Sequence, residues 1–364
     1  MQASKEVLAP NNPSENKQGK WLRRSAIALA TVSAMSMSAA SSAYEIKLDD
    51  SQSIKFGGYI KIDGRYVDGN IAYRDFWIGS GSVLPESQSQ FKMFANESRI
   101  NTTYKNGDVT AFVEMDFYGG GGNEIISNSS NPRLRHAFIK YKDVLVGQTW
   151  TTFMNTSALA ETADFAGPMV GEAFVRNNQI RYTRGAWQFS IENPESFGGD
   201  ASQDTAPDFV AKYTHSADWG NVSVAGLFRS LTTVSGESES GVGLSIAGKV
   251  KTTGKDDFRF QFHTGNTGRY VGVVAAQDIV GEEAEESTSY MVAYRHFWND
   301  TSRSSVFYGN ITTDITDVDR SHWGINYFDN LTPKLSAGVE VGNFEMAEQD
   351  ADSNYVQFSV KYAL

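Results

Sequence analysis

Hydrophobic and polar residues alternate along most of the chain from residue 54 to its end. The clearest segments are 54–62, 109–117, 258–263, 289–298, 335–341 and 356–364. In the first segment Ile54, Phe56 and Ile60 are apolar, and Lys55 and Lys61 stand between them. Successive side chains of a β-strand point to opposite faces, so this pattern predicts strands with one apolar and one polar face. Weaker segments raise the expected total to about sixteen strands.

Turn residues separate these segments. Asn106-Gly107 is a hairpin signal because both residue types tolerate the positive φ of a tight turn. Every proline after residue 43 falls between predicted strands or at their ends, where the missing N–H removes no ladder hydrogen bond. Long polar loops, expected at 65–90, 118–132 and 278–288, alternate with these short turns.

Composition narrows the class of protein. The chain has 364 residues, no cysteine and a formal net charge of −11. Without cysteine it forms neither a disulfide framework nor a thiolate metal site. Nucleic-acid binding depends on basic side chains that neutralise phosphates, so the acidic balance argues against that function. A mean hydropathy of −0.38 excludes a bundle of membrane helices, whereas a membrane β-barrel needs apolar residues only at every second position.

The N-terminal segment 1–43 has the composition of a secretory signal. A basic region at 17–24 precedes an apolar run from Ala26 to Ala43 that ends in small residues. A transmembrane anchor is the alternative, but the hydroxyl residues in the run disfavour it, since a stable span needs about 20 mostly apolar positions. We therefore expect residues 1–43 to be removed after export and residues 44–364 to form a single barrel domain.

Two architectures produce such alternation, and they differ in the face that is buried. A soluble β-sandwich or propeller buries its apolar faces, whereas a barrel in lipid turns them outward. Ionisable residues at mid-strand, such as Arg259, Arg295 and Glu340, and aromatic residues at strand ends favour the membrane barrel. A barrel of about sixteen strands encloses an aqueous channel, whereas one of about eight is filled by side chains. The sequence therefore predicts an all-β, antiparallel transmembrane barrel in the bacterial outer membrane.

One connection is longer than a surface turn requires. It extends over residues 151–178 and contains aromatic and acidic residues without strand periodicity, including Phe153, Glu161, Asp164 and Phe165. Such residues in a loop indicate packing against another surface. We expect this loop to fold into the lumen and narrow the pore. An extracellular cap or a contact between subunits is the alternative.

Several runs of residues on both sides of this loop resemble the DcaP-like outer-membrane porin family. They are Glu97-Ser98-Arg99-Ile100, Leu134-Arg135-His136-Ala137, Gly147 to Met154, Glu161 to Pro168, Arg176 to Thr183 and Ile191 to Glu195. The likeness is dense over residues 54–195, and beyond them only the strand pattern supports it. The resemblance implies a trimeric porin of about sixteen strands that passes small acidic solutes, because the family is associated with the uptake of dicarboxylates.

The candidate pore-lining residues lie on both sides of the long connection. A pore selects by its diameter and its lining charges, and guanidinium groups suit carboxylates. Basic and acidic candidates could therefore form facing rows in the lumen. The basic candidates are Arg99, Arg135, His136, Arg176, Arg181 and Arg184, and the acidic ones are Glu114, Asp116, Glu161 and Asp164. Alternatively, ion pairs between the same groups brace the barrel wall, and both roles can hold together.

The expected partners follow from this interpretation. They are further copies in a homotrimer, outer-membrane lipid, lipopolysaccharide and small anionic solutes, and not nucleic acid. Acidic residues of the expected external loops, such as Glu282, Glu283 and Glu286, could bind divalent cations that bridge lipopolysaccharide. A plain solvated loop explains the same residues more simply.

No motif indicates bond-making chemistry. Gly119 to Gly122 lacks the Lys-Ser/Thr of a phosphate loop, the histidines show no helical i, i+4 pair for a metal, and Gly-x-Ser-x-Gly does not occur. We therefore expect no enzyme activity, no cofactor and no metal. An outer-membrane lipase or protease is one alternative, which turnover of phospholipid or peptide would reveal. An adhesin or receptor is another, which cell binding without conductance would favour.

Overall fold

The computed structural model describes residues 44–77, 81–165 and 167–364, so the predicted signal peptide at 1–43 lies outside the described residues. These residues form twenty strands: β1 (Tyr44–Lys47), β2 (Gln52–Ile71), β3 (Val83–Phe94), β4 (Arg99–Asn106), β5 (Val109–Asp116), β6 (Arg133–Tyr141), β7 (Val144–Trp150), β8 (Arg176–Arg184), β9 (Trp187–Glu192), β10 (Asp208–Ala217), β11 (Gly220–Thr232), β12 (Ser238–Lys251), β13 (Asp257–Gly265), β14 (Ile279–Val280), β15 (Glu283–Ala284), β16 (Ser287–Phe297), β17 (Ser302–Thr313), β18 (Asp319–Asn330), β19 (Leu335–Met346) and β20 (Ala351–Ala363). In the same residues, helical structure is limited to one short α-helix, α1 (Glu124–Ser127), and the 3₁₀ turns Thr156–Ala158, Met169–Gly171, Ala201–Gln203, Gly268–Tyr270 and Ala347–Gln349. Within the described ranges, no helix is long and apolar enough to cross a membrane.

Eighteen of the strands form one antiparallel sheet that closes on itself. Strand β2 makes the closure because it pairs with β20 on one side and with β3 and β4 on the other. β3 and β4 pair with successive parts of β2, so together they occupy one strand position in the wall. β1 and β20 also share one position, since Tyr44 lies opposite Phe56 and Ala363 lies opposite Tyr59. The result is a closed barrel of sixteen strand positions, as the sequence predicts.

The alternation in the sequence separates an apolar outer face from a polar inner face. Along β13, Phe258 and Phe262 are 37% and 39% exposed, whereas Arg259, Gln261 and His263 are at most 4% exposed. Apolar side chains therefore cover the outer wall, where hydrocarbon replaces water, and ionisable side chains point to the inside. This orientation confirms the predicted membrane barrel and excludes a sandwich with an apolar core.

Long and short connections segregate to opposite ends of the barrel. One end, called the turn end below, carries tight turns such as the Asn106-Gly107-Asp108 and Lys142-Asp143 turns. The other, called the loop end, carries the long connections 72–82, 117–132, 151–175, 193–207 and 266–286. Outer-membrane barrels place their short turns in the periplasm, so the loop end faces the cell exterior.

Some boundaries differ from the sequence-based expectations. The loop expected at 65–90 is limited to 72–82, because β2 runs to Ile71 and β3 begins at Val83. These strand ends have polar residues on both faces, so the sequence shows no alternation there. This is expected where a strand extends beyond the hydrocarbon layer into water. The loop expected at 278–288 belongs to the connection 266–286, which contains the β14–β15 hairpin. A short strand, β1, also precedes the first strand expected from the alternation.

A buried apolar cluster joins three of the long connections to the strands. Trp77, Phe153 and Tyr270 come from three different connections, and each is at most 2% exposed. Trp77 stacks in parallel on Phe344 of β19 with ring centroids 5.2 Å apart. These connections are therefore packed against strand side chains and against each other.

Candidate functional site

The connection 151–175, between β7 and β8, is anchored by polar side chains of distant strands. Lys212 of β10 donates a hydrogen bond to the Met154 carbonyl at 2.7 Å. Asn326 of β18 donates to the Glu161 carbonyl at 2.8 Å. These bonds satisfy backbone carbonyls that would otherwise be buried without donors, which explains how an irregular segment can be buried along its length.

Glu161 fixes the middle of this connection to β16 and β17. Its carboxylate accepts from Arg295 at 3.0 Å and from Arg303 at 2.7 Å. Burial by itself would raise the pKa of Glu161, but the hydrogen bonds and charges of Arg303 and Arg295 outweigh it and lower the pKa to about 2. The predicted acid at this position is therefore ionised and shared by two arginines.

Asp164 makes a second anchor, to β2. Its Oδ1 lies 2.7 Å from Nη1 of Arg65, and both side chains are fully buried. The Arg65 guanidinium lies over the neighbouring rings of Trp77 and Tyr355, at 4.5 and 4.7 Å from their centres. Burial raises the pKa of Asp164 to about 7, against the opposing charge of Arg65. The connection is thus anchored to β2 as well as to β16 and β17.

Four arginines gather around aromatic rings where the connection meets the wall. We call Arg99, Arg133, Arg135 and Arg176 the arginine cluster. The guanidinium carbons of the first three lie 5.6, 5.7 and 5.5 Å from the ring centre of Phe165. That of Arg176 lies 4.7 Å from the ring centre of Trp150. Cation–π contacts of this kind tie the connection, through Phe165, to β4 and β6.

Two predicted acids neutralise part of this cluster. Asp116 accepts from Arg133 at 3.0 and 2.7 Å and from Arg135 at 2.8 Å. Glu114 accepts from Arg135 Nε at 2.9 Å. Ion pairing that braces the wall therefore accounts for the positions of Arg133 and Arg135.

Arg176 differs from these two because no such pair accounts for it. Its Nη1 is buried and has no hydrogen-bond partner among the described residues. Nη2 of Arg135, whose guanidinium carbon lies 5.9 Å from the same Trp150 ring, is also buried and without a partner there. Leaving a buried charged donor unsatisfied costs free energy, so these two donors mark a place suited to an anion.

A β-bulge determines how β6 presents its charges. Glu114 lies opposite His136, but the next residue, Met115, lies opposite Leu134, so Arg135 is the extra residue. Arg135 and His136 are neighbours in sequence, yet they are only 0% and 7% exposed, whereas Leu134 is 49% exposed. Strict alternation would turn one of the two toward lipid. The bulge brings both to the inner face.

The remaining candidates have other surroundings. His136 meets the Thr149 hydroxyl at 3.0 Å, beside the cluster. Arg181 donates through Nε to Gln179 at 2.9 Å and lies nearer the turn end of β8 than Arg176 does. Arg184 is exposed at the turn end of β8, so the structure does not bring it to the arginine cluster.

Sequence reasoning did not single out several charged residues that the structure places in the same region. They are Lys61, Arg65, Arg133 and Arg303. Lys61 contacts Glu97 and lies 3.3 Å from Asp63. The available signal was the two-residue spacing of Lys61, Asp63 and Arg65, which puts three ionisable side chains on one face of β2.

Together, the closed barrel, its apolar exterior and its ionised interior define an outer-membrane porin of sixteen strands. The family model of the DcaP outer membrane protein matches residues 27–321, and the chain belongs to this family. The chain is therefore an outer-membrane protein. No curated protein matches it.

Solved structures share the fold at low sequence identity. The outer membrane channel DcaP of Acinetobacter baumannii superposes with a TM-score of 0.77 at 20% identity, covering 88% of this chain and 99% of that chain. An anion-selective porin from Comamonas acidovorans gives 0.56 at 12% identity, covering 86% and 100%. The trimer form of OmpT, an outer membrane protein of Vibrio cholerae, gives 0.55 at 11% identity, covering 86% and 100%. At these identities the comparisons show the fold.

Proposed function

We propose that this porin passes small hydrophilic anions, carboxylates above all, through a channel narrowed by the connection 151–175. The observation that carries the proposal is the position of Arg176. Its guanidinium stacks on Trp150 at 4.7 Å and keeps a buried Nη1 without a partner among the described residues. A guanidinium is always charged and pairs well with carboxylate oxygens, so a solute that carries a carboxylate gains most there.

The contacts of the connection support a constriction. It leaves the wall at β7, yet its Glu161 pairs with Arg303 of β17, which lies half-way round the barrel. A segment that reaches the opposite wall from inside a closed barrel must cross the lumen. The arginine cluster then lies beside the narrowed passage, where a passing solute is close to its charges.

The two unpartnered donors support a preference for solutes with two carboxylates. Arg135 and Arg176 both lie beside the ring of Trp150, and each has one buried N–H group without a partner among the described residues. A short dicarboxylate could engage both at once, whereas a monocarboxylate engages one. This agrees with the resemblance to a family associated with dicarboxylates. Both contacts must be weak enough for release, since tight binding would stop the flux.

We also propose a homotrimer in a membrane that contains lipopolysaccharide, formed after removal of residues 1–43. A trimer form of the similarly folded OmpT supports the assembly, and the apolar outer wall supports contact with lipid. Light scattering in detergent should give the mass of three chains. The intact mass of the exported protein should match that of a chain that starts at Tyr44. A monomer in every mild detergent would contradict the assembly.

Reversal potentials in planar bilayers under a salt gradient test the anion preference. The wild-type channel should prefer chloride to potassium, and Arg176→Gln should reduce that preference without leaving a carboxylate unpaired. Arg184→Gln is the matched control, because it removes the same charge from an exposed position outside the cluster. Succinate should block the wild-type current more strongly than acetate at equal charge concentration. A cation-selective or unselective wild-type channel would overturn the proposal.

A further inference from the structure

A second set of cations lies nearer the turn end than the arginine cluster. Lys105 of β4, Lys140 of β6 and Arg181 of β8 occupy one cross-strand row, and we call them the basic row. Lys105 lies opposite Thr110, which lies opposite Lys140. Lys140 lies opposite Leu145, which lies opposite Arg181. One cation therefore occurs at every second strand of this part of the wall.

The basic row lies on the inner face of the barrel. Ile139 and Tyr141, on either side of Lys140, are 57% and 52% exposed and belong to the lipid-facing surface. Ile180, next to Arg181, is 49% exposed in the same way. Because neighbouring side chains of a strand point to opposite faces, Lys140 and Arg181 point into the lumen.

The spacing of the row suits small anions. Adjacent strands are about 4.8 Å apart, so consecutive cations of the row are about 10 Å apart at the backbone. This is close to the Debye length of about 10 Å at 0.1 M salt, so the fields of neighbouring cations overlap. An anion moving along the row stays within reach of at least one positive charge.

The row also connects to the arginine cluster. Arg181 donates through Nη2 to the carbonyl of Trp150, the residue on whose ring Arg176 stacks. Trp150 is thus the meeting point of the two sets of cations. From Arg181 the row continues through Lys140 to Lys105, which is next to the turn after β4.

The row is not accounted for by bracing of the wall. Among the described residues, neither Lys105 nor Lys140 makes an ion pair or hydrogen bond through its side chain, and Arg181 pairs with no carboxylate. The connections of the loop end, in contrast, contain no lysine at all. The cations of the basic row therefore lie toward the turn end without a carboxylate to neutralise them.

We propose that the basic row is a second, weak binding subsite for carboxylate or phosphate groups, and that it leads anions from the arginine cluster to the periplasmic mouth. This inference rests on the proposed anion preference of the channel. A lysine ammonium is strongly hydrated and mobile, so it attracts an anion without holding it, as flux requires. Trp150 marks the point at which a solute passes from the cluster to the row.

The absence of cysteine from the chain permits a direct test, because one introduced thiol can be modified selectively. In Lys140→Cys channels the anion preference at low salt should fall roughly twofold, the effect that Coulomb's law in water gives for one charge at about 10 Å. Aminoethyl methanethiosulfonate, which restores a cation, should return the preference to the wild-type value. The sulfonatoethyl reagent, which adds an anion, should lower it further. At 1 M salt, where the Debye length is about 3 Å, the differences should vanish.

Lys142→Cys is the matched control, since it removes the same charge from an exposed turn two residues away. Its anion preference should change little with either reagent. Phosphate and succinate, tested separately in the bath, distinguish the two ligand chemistries. Slower release of either anion from the wild-type channel than from Lys140→Cys supports the subsite. If Lys140→Cys and Lys142→Cys behave alike while Arg176→Gln still lowers the preference, the basic row is overturned and the proposed function stands. If the wild type itself shows no anion preference, both fail.

Discussion

The carboxylate of Glu172 has a single hydrogen-bond donor among the described residues, the backbone N–H of Ala160 at 3.3 Å. Glu172 is fully buried, and its Oε2 has no partner among the same residues. Burial raises the pKa of Glu172 to about 8, against the smaller opposing effects of Ala160 and the Arg259 charge. The group is therefore mostly protonated at neutral pH, unlike Glu161 on the same connection.

This relationship predicts that packing of the connection 151–175 weakens as pH rises. The pKa of Glu172 is raised from its ordinary 4.5, so its contribution to stability is complete below about pH 4.5 and is lost as pH rises to about 8. The thermal midpoint in detergent should fall between pH 6 and pH 9. Glu172→Gln, which cannot ionise, should flatten this dependence, whereas Glu283→Gln, at an exposed position, should retain it. An equal slope in both variants would contradict the prediction.

Arg65 and Asp164 should behave as a coupled pair. Arg65→Met leaves the buried Asp164 carboxyl without its hydrogen-bond donor and should cost about 1–3 kcal/mol of stability. The double variant Arg65→Met/Asp164→Leu removes both charges and should recover much of this loss. Heat or denaturant unfolding in detergent measures the coupling. Strictly additive effects of the two changes would show that the pair contributes nothing.

Glu161 should control the size and the steadiness of the passage. Glu161→Gln removes the charge shared by Arg295 and Arg303, so the connection should move more freely. Single-channel currents should become noisier, and larger polyethylene glycols should enter the pore. The control is Asp300→Asn, which breaks an exposed pair with Lys255 that solvent screens. Identical recordings from both variants would argue against anchoring by Glu161.

A charged side chain on the lipid-facing wall should destabilise the barrel. Phe262→Arg introduces a cation on the outer face and should destabilise the inserted barrel by about 2–4 kcal/mol if the site lies at the bilayer midplane. Val234→Arg, at a residue 58% exposed in a connection of the loop end, should have little effect. The folded fraction in lipid vesicles, measured by heat-modifiable mobility, compares the two. Equal folding of Phe262→Arg and wild type would contradict the assigned orientation.

Regular alternation made most of the barrel predictable. Strands such as β13 and β20 have one apolar and one polar face, and turn residues such as Asn106-Gly107 mark where other strands end. Lipid leaves no sheet edge unpaired, so a chain of about sixteen such strands has to close. Where both faces are polar, as at the loop ends of β2 and β3, the alternation disappears and the predicted boundary was wrong.

The candidate site could be predicted only in part. Arg135 and His136 were both expected inside, although alternation allows one of them, and the bulge that reconciles them depends on pairing with Glu114 of β5. Arg65 lies far from the connection in sequence, so its pairing with Asp164 has no local signal. Arg184 was grouped with the cluster by proximity in sequence, but a strand of nine residues carries it to the opposite end.

By itself, the order of apolar and polar residues determined that the chain is a membrane barrel, because a period of two is a local property of the backbone and lipid admits only closed sheets. It also determined which faces are charged. Only the tertiary structure decided which charges meet, since ion pairs between the long connection and the far wall depend on closure of the barrel. The pairing of β7 with β8 places Arg176 directly opposite Trp150 and leaves it a buried donor without a partner among the described residues, and the 25 residues between the two strands do not encode that register.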